Sequence, residues 1–258
     1  RFESLRLATL PNGCQGSDAA LHARCERKYF QPFVARSAAA AHAGLPSELP
    51  SQNVVALLRG TDPALANEYV VVGAHFDHLG RSGASALDPD SAEAVRNGAD
   101  DNASGTAAVM ELARLPSRHA PRRSVIFVTC SGEELGLLGS QRFVDQSPVP
   151  IDRVVAMLNF DMVGRLGNDR VIVYGVETAT EMRSLVDSAA SGTGLEVRGV
   201  GDGYGPSDHS SFYARGIPVL HFFTDLHEDY HRATDDAEKV SAAGVGRVVG
   251  FAERVVRA

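Results

Sequence analysis

Three stretches, "YVVVGA" at Tyr69–Ala74, "SVIFVT" at Ser124–Thr129 and "VVAMLNF" at Val154–Phe160, are apolar at odd and even positions alike. Side chains along a strand alternate between the two faces of its sheet, so a run that is apolar at both parities needs cover on both sides. Gln52–Arg59, Val171–Gly175 and Pro218–Phe223 read as further strands. Helical spacing of apolar residues fills the intervals at Ser104–Leu115, Leu135–Gln146, Glu177–Ser191 and Glu238–Val256. Strand and helix in alternation predict an α/β fold: a three-layer sandwich whose mixed, largely parallel central sheet is covered by helices on both faces. No internal repeat and no linker divides the chain. Residues 1–50 differ, with the alanine-rich "ARSAAAAHAGLP" and the Pro/Ser punctuation "LPSELPSQ". They are expected to form an appendage packed on a single domain of residues 51–258.

Composition narrows the partners. A net charge of −7 offers no basic face for nucleic acid or an anionic membrane, and no apolar run reaches the roughly 20 residues of a spanning helix. The chain is therefore read as soluble. It begins at Arg1 rather than methionine, which suggests a removed leading segment and a secreted or periplasmic setting. Cys14 and Cys25 share the polar N-terminal region and either pair or stay free, whereas Cys130 ends an apolar run as a buried thiol. Basic residues are almost all arginine, with Lys28 and Lys239 the only lysines, a composition like that of high-GC bacterial genomes.

In open α/β sheets, function gathers beyond the carboxyl ends of the strands. His75, Asp77 and His78 follow one strand in "GAHFDH"; Glu133 and Glu134 follow another in "SGEELG"; Asp161 follows a third in "NFDMVG"; and "HFFTDLHEDYH" closes the last. "NGADDNASG" places Asp100 and Asp101 in a turn just before a helix. Each piece alone reads as ordinary surface polarity, a helix start or an N-cap. Together they bring acids from several strand ends to one edge, where they would repel one another unless a cation sat among them. Carboxylates with two or three histidines suit zinc, with manganese or cobalt as substitutes. "NAS" at Asn102–Ser104 matches a glycosylation sequon but abuts Asp101, and is read as the start of the following helix.

The ordered set "GAHFDH", "NGADDNASG", "GEELGLLGS", "NFDMVG", "GPSDHSSF" and "DYHRATDD" closely resembles the co-catalytic dizinc aminopeptidases of the aminopeptidase S and aminopeptidase Y type, from about Gln52 to Val240. The resemblance implies two zinc ions per chain. One would be held by His75, Asp101 and Asp161, the other by Asp101, Glu134 and His231, with Asp101 bridging. It makes Glu133 the general base, Asp77 a carboxylate behind His75, and Tyr230 a hydrogen-bond donor to the oxyanion. Asp208 and His209 look like a supporting pair behind the ligands, and "GVGDGYGPSDH" a loop shaping the pocket. The pattern does not require His209, His221 or His227 as ligands.

Physical reasoning supports part of this. Residues two apart on a strand share a face, so Asp77 can reach His75 and fix its tautomer. Glu133 and Glu134 are consecutive and must diverge, leaving one for metal and one for substrate. Three carboxylates against two divalent ions leave about one positive charge, enough to acidify a water held between them. The expected function is zinc-dependent removal of N-terminal residues from peptides with a free N-terminus. Rivals are a carboxypeptidase, a single-zinc glutaminyl cyclase, disfavoured by the absence of tryptophan, and a non-enzymatic binding module, which would lose ligands that are all kept here. About 26 residues separate His75 from Asp101, and this insert, "GRSGASALDPDSAEAVRNG", is expected to form a lid or pocket wall.

Overall fold

The computed structural model describes residues 2–11, 29–36, 46–81, 85–88, 93–115 and 120–258. Its centre is an eight-stranded sheet of β1 (Phe30–Arg36), β2 (Glu48–Leu58), β3 (Tyr69–His75), β4 (Ser124–Cys130), β5 (Val154–Phe160), β6 (Arg170–Tyr174), β7 (Glu196–Val200) and β8 (Val219–Phe223). They run in the order β1-β2-β4-β3-β5-β8-β6-β7. The middle strands β4, β3, β5 and β8 pair in parallel, as does β6 with β7, while β1/β2, β2/β4 and β6/β8 are antiparallel. The sheet is mixed and largely parallel, as the sequence predicts.

The double-sided burial of the central strands follows from their alternation. Val70, Val72, Phe127, Leu158, Phe160 and Phe222 face one layer, built from α1 (Gly105–Arg114), α3 (Met182–Ala190) and α5 (Ala242–Arg257). Val71, Ile126, Val128, Met157 and Val219 face the other, where α2 (Leu138–Asp145) contributes Phe143 and the short α4 (His209–Tyr213) contributes Phe212. Phe160 and Phe222 stack at 4.8 Å directly beneath the end of the sheet that carries Asp161.

Several boundaries differ from the sequence reading for local reasons. α2 starts at Leu138 rather than Leu135 because Leu137 has a left-handed φ of 60°. α5 starts at Ala242, where the Ser241 hydroxyl accepts from Gly244 N–H as an N-cap. The N-terminal segment does more than pack on the domain: β1 is an edge strand of the same sheet, Ala8 bridges Leu57, and Phe2 and Leu7 enter the core. Cys14 and Cys25 lie outside the described residues, and Cys130 is fully buried as a free thiol. Among the described residues no helix is long and apolar enough to cross a membrane.

Candidate functional site

The parallel strands β3, β4, β5 and β8 end at the same edge, and their continuations deliver His75, Glu133 with Glu134, Asp161 and His231. The turn before α1 supplies Asp101. Gly98 (φ 62°) opens that turn, and a Cβ there would lie 2.1 Å from the Asp101 carbonyl and 2.4 Å from the His78 ring. Only glycine fits so close an approach. Asp101 itself is non-helical, and its N–H donates to Asp235 Oδ2 at 3.1 Å. Asp235 Oδ1 takes Arg165, which also reaches Asp229, so the His231 loop is tied to the Asp101 turn.

The two carboxylate oxygens of Asp101 address different partners. Oδ1 lies 3.4 Å from His75 Nε2, which is also 3.4 Å from Asp161 Oδ1. Oδ2 lies 3.3 Å from His231 Nε2, which is also 3.3 Å from Glu134 Oε2. These gaps exceed the roughly 2.7–2.9 Å of a charge-assisted hydrogen bond. They equal the separation of two ligand atoms on one tetrahedral zinc, about 3.3 Å for bonds of about 2.0–2.1 Å. Asp161 Oδ1 is buried without a hydrogen-bond partner, whereas Asp161 Oδ2 accepts from Ser207 at 2.7 Å. The residues present therefore fit a pair of zinc ions sharing Asp101.

Both histidines are held with Nε2 turned inward. His75 Nδ1 donates to the main-chain carbonyl of Asp77 at 3.0 Å, and His231 Nδ1 to that of Ser85 at 2.9 Å. Asp77 does lie behind His75, its carboxylate 3.9 Å from the ring, but the hydrogen bond to the imidazole is taken by its main-chain carbonyl, and the carboxylate accepts the Glu133 N–H at 3.3 Å. Glu134 also meets His78, Nδ1 to Oε1 at 2.8 Å, a contact not foreseen from sequence. A ligand atom of Glu133 lies within 4.8 Å of those of His75 and Asp161, and His78, Asp101 and Glu134 form a second such group.

Crowded acids shift the titration of the site. Burial pushes Glu133 up to about 10, with Asp208, Asp161 and Glu134 adding to it and His75 opposing. Burial likewise raises Asp161. Burial pushes Asp101 up, but the adjoining His231 and His75 rings outweigh it and hold the carboxyl below its ordinary range. Asp161 and Asp101 raise His75 despite its burial. Such an excess of negative charge is what a cation would neutralise.

Tyr230 stacks on the His231 ring at 3.8 Å, and burial with the nearby acids raises its pKa, so it keeps its proton. Asp208 and His209 do not pair. Both Asp208 oxygens and both His209 nitrogens are buried without a hydrogen bond of proper geometry; the Ser140 hydroxyl beside Asp208 instead engages Leu137 O and Ser211. The residue of "GPSDHSSF" that touches the centre is Ser207, which also accepts from Asn159, and Asn159 holds His221 Nδ1. His227 donates to Asp100, away from both groups. Asn102 is 1% exposed and its amide is engaged by Phe160 and Gly105, so the sequon is inaccessible. Beside Asp101 and Glu133 opens a cleft of about 290 Å³, walled by Tyr174, Tyr204, His221, Phe223, Leu226 and Tyr230. The described part of the insert is not in that wall; it packs on the His231 segment.

Residues 53–255 match the profile of Peptidase family M28. The chain belongs to this family. It is 34% identical over 190 residues to leupeptin-inactivating enzyme 1 of Streptomyces exfoliatus, covering 72% of this chain and 38% of that protein. It is 32% identical over 155 residues to aminopeptidase YwaD of Bacillus subtilis, covering 56% and 34%. Among solved structures it resembles an aminopeptidase from Aneurinibacillus sp. strain AM-1, with a TM-score of 0.67, 29% identity and coverage of 81% and 48%. A Zn-dependent exopeptidase from Parabacteroides distasonis shares the fold with a TM-score of 0.72 over 93% and 86% of the two chains, at 20% identity. The chain thus spans well under half of the curated relatives above and about half of the Aneurinibacillus structure.

Proposed function

We propose that the chain is a zinc aminopeptidase that removes N-terminal residues from peptides, with two ions per chain, replaceable by manganese or cobalt. The carrying observation is the set of four N···O spacings of 3.3–3.4 Å in which Asp101 divides its oxygens between His75 with Asp161 and His231 with Glu134. In this reading His75, Asp101 and Asp161 hold one ion, and Asp101, Glu134 and His231 the other. Zinc bound there supplies Lewis-acid polarisation of the peptide carbonyl and of the attacking water.

The chain's own groups do the rest. Glu133 accepts the proton of the attacking water and passes it to the leaving amine. Tyr230 donates its O–H to the oxygen that becomes negative as the carbonyl is attacked. Ser207 orients Asp161, and the two main-chain carbonyls orient the histidines. The acidic and aromatic lining of the cleft complements a substrate ammonium rather than a carboxylate, which favours this reading over a carboxypeptidase. The named relatives described as aminopeptidases support it.

Aminoacyl p-nitroanilides and their N-acetylated counterparts test it on zinc-loaded protein. Hydrolysis confined to the free-amine series is expected; equal rates on both, or cleavage only of peptides with a free C-terminus, would reject it. An exported setting belongs to the same reading and predicts a Cys14–Cys25 bond. Three alkylatable thiols in non-reduced protein secreted by its host would remove that part.

A further inference from the structure

Among its described residues, the insert of residues 80–98 reaches His231 through Ser85–Asp88. Three hydrogen bonds from Ser85–Asp88 bracket His231: its ring Nδ1 donates to Ser85 O at 2.9 Å, its carbonyl accepts from Leu87 N–H at 3.0 Å, and the N–H of Ala233 donates to Asp88 Oδ2 at 2.8 Å. Asp88 is in turn gripped by Arg96, whose Nε reaches Oδ1 at 2.7 Å and whose Nη2 reaches the Asp88 carbonyl at 3.2 Å. Arg96 is 2% exposed and Asp88 is half-buried, so the pair is shielded from the arginine side. His231 itself sits at φ 55°, in the left-handed region that a residue with a Cβ occupies only when its surroundings hold it there.

We infer that Asp88, held by Arg96, is a positioning residue for the Glu134/His231 half of the metal centre. The inference rests on the reading of His231 as a metal ligand. Its Nδ1–H is committed to Ser85 O, which leaves the Nε2 lone pair directed at Asp101 Oδ2 and Glu134 Oε2. His75 donates the equivalent hydrogen bond to the Asp77 carbonyl, two residues beyond its own strand and outside the insert. Although the halves share Asp101, their two histidines are therefore oriented by separate groups. Loosening Asp88 lowers affinity for one ion and spares the other, a pattern that general destabilisation of the fold does not produce.

The test is calorimetric titration of Zn²⁺ into metal-stripped full-length protein. Wild type is expected to bind two ions and His231→Ala to lose one of them. Asp88→Asn, which keeps size but removes the charge Arg96 grips, should weaken that same ion by about 10–100-fold, the usual effect of removing a group that orients a ligand. Leu87→Pro is the second variant: Leu87 is 50% exposed and the substitution deletes the N–H that donates to His231. It should weaken the same ion. Unchanged binding of both ions in these variants, or equal weakening of both, overturns the inference while the two-ion reading stands. Loss of neither ion in His231→Ala would instead reject that reading.

Discussion

Glu133 and Glu134 are adjacent and chemically identical, so a difference between Glu133→Gln and Glu134→Gln can only come from role. Glu134 spans His78 at 2.8 Å and His231 at 3.3 Å. A neutral amide there removes a ligand charge, and the ion on that side should bind more weakly. Glu133→Gln removes the proton acceptor but leaves the five proposed ligands. Both ions and KM should be retained while kcat falls by about 10²–10⁴, or about 3–5 kcal/mol of barrier. Because Glu133 also lies within 4.8 Å of the His75 and Asp161 ligand atoms, the alternative is concrete: a metal-deficient Glu133→Gln with a fully loaded but inactive Glu134→Gln would reverse the two roles.

The same substitution has a second readout in metal-stripped protein. Burial lifts Glu133 from its ordinary 4.5 to about 10. A carboxyl raised on folding costs nothing below its unfolded value, and its cost grows as pH rises from about 4.5 to about 10. At pH 7 the interval above 4.5 is 2.5 pH units. At about 1.4 kcal/mol each, this bounds the penalty at about 3.5 kcal/mol, less where solvent reaches the partly exposed side chain. Glu133→Gln lacks this penalty. Its thermal midpoint without metal should match wild type near pH 4.5 and rise above it toward pH 8. Parallel midpoints across that range would show that the acid is not strained by its neighbours, and the case for a cation-demanding cluster would weaken.

Elemental analysis after dialysis should find two divalent ions per chain, with hydrolysis lost on chelation; one ion at most with activity intact would defeat the dinuclear centre. Tyr230→Phe keeps the ring stacked on His231 but removes the donor, so kcat should drop by about 10² with zinc content unchanged; undiminished turnover would reduce Tyr230 to packing. Burial pushes His209 down to about 4 and His221 well below its ordinary value, so both are neutral near the cleft. An acidic N-terminal side chain finds no counter-charge in either ring. Substrates beginning with Asp or Glu should show kcat/KM at least about tenfold below those beginning with Leu or Phe, and comparable values would show that the side chain lies elsewhere.

What the sequence made legible and what it hid divide along one physical line. Strands buried on both faces declare themselves through side chains, and β5 is read from Val154 to Phe160 without error at either end. The edge strands β1 and β7 are held by main-chain pairing on one side and carry exposed or half-exposed positions, so "FQPFVAR" and "EVRGV" lack an apolar signature. Pro32 in β1 further argues against a strand unless it lies at an edge, where it does lie. The site behaves the same way. Its acids and histidines stand out because residue type is the chemistry, whereas the groups that orient the two inward-facing histidines are the carbonyls of Asp77 and Ser85, which any residue supplies. The Asp77 carboxylate expected behind His75 is there at 3.9 Å, but the hydrogen bond itself goes to the backbone, which no residue type announces. Ser207 was missed for the converse reason: beside Asp208 and His209 it is the least ionisable member of its motif, yet only its hydroxyl reaches Asp161. Support for a metal ligand is selected by reach and hydrogen-bond geometry rather than by charge, so it becomes visible only once the chain is folded.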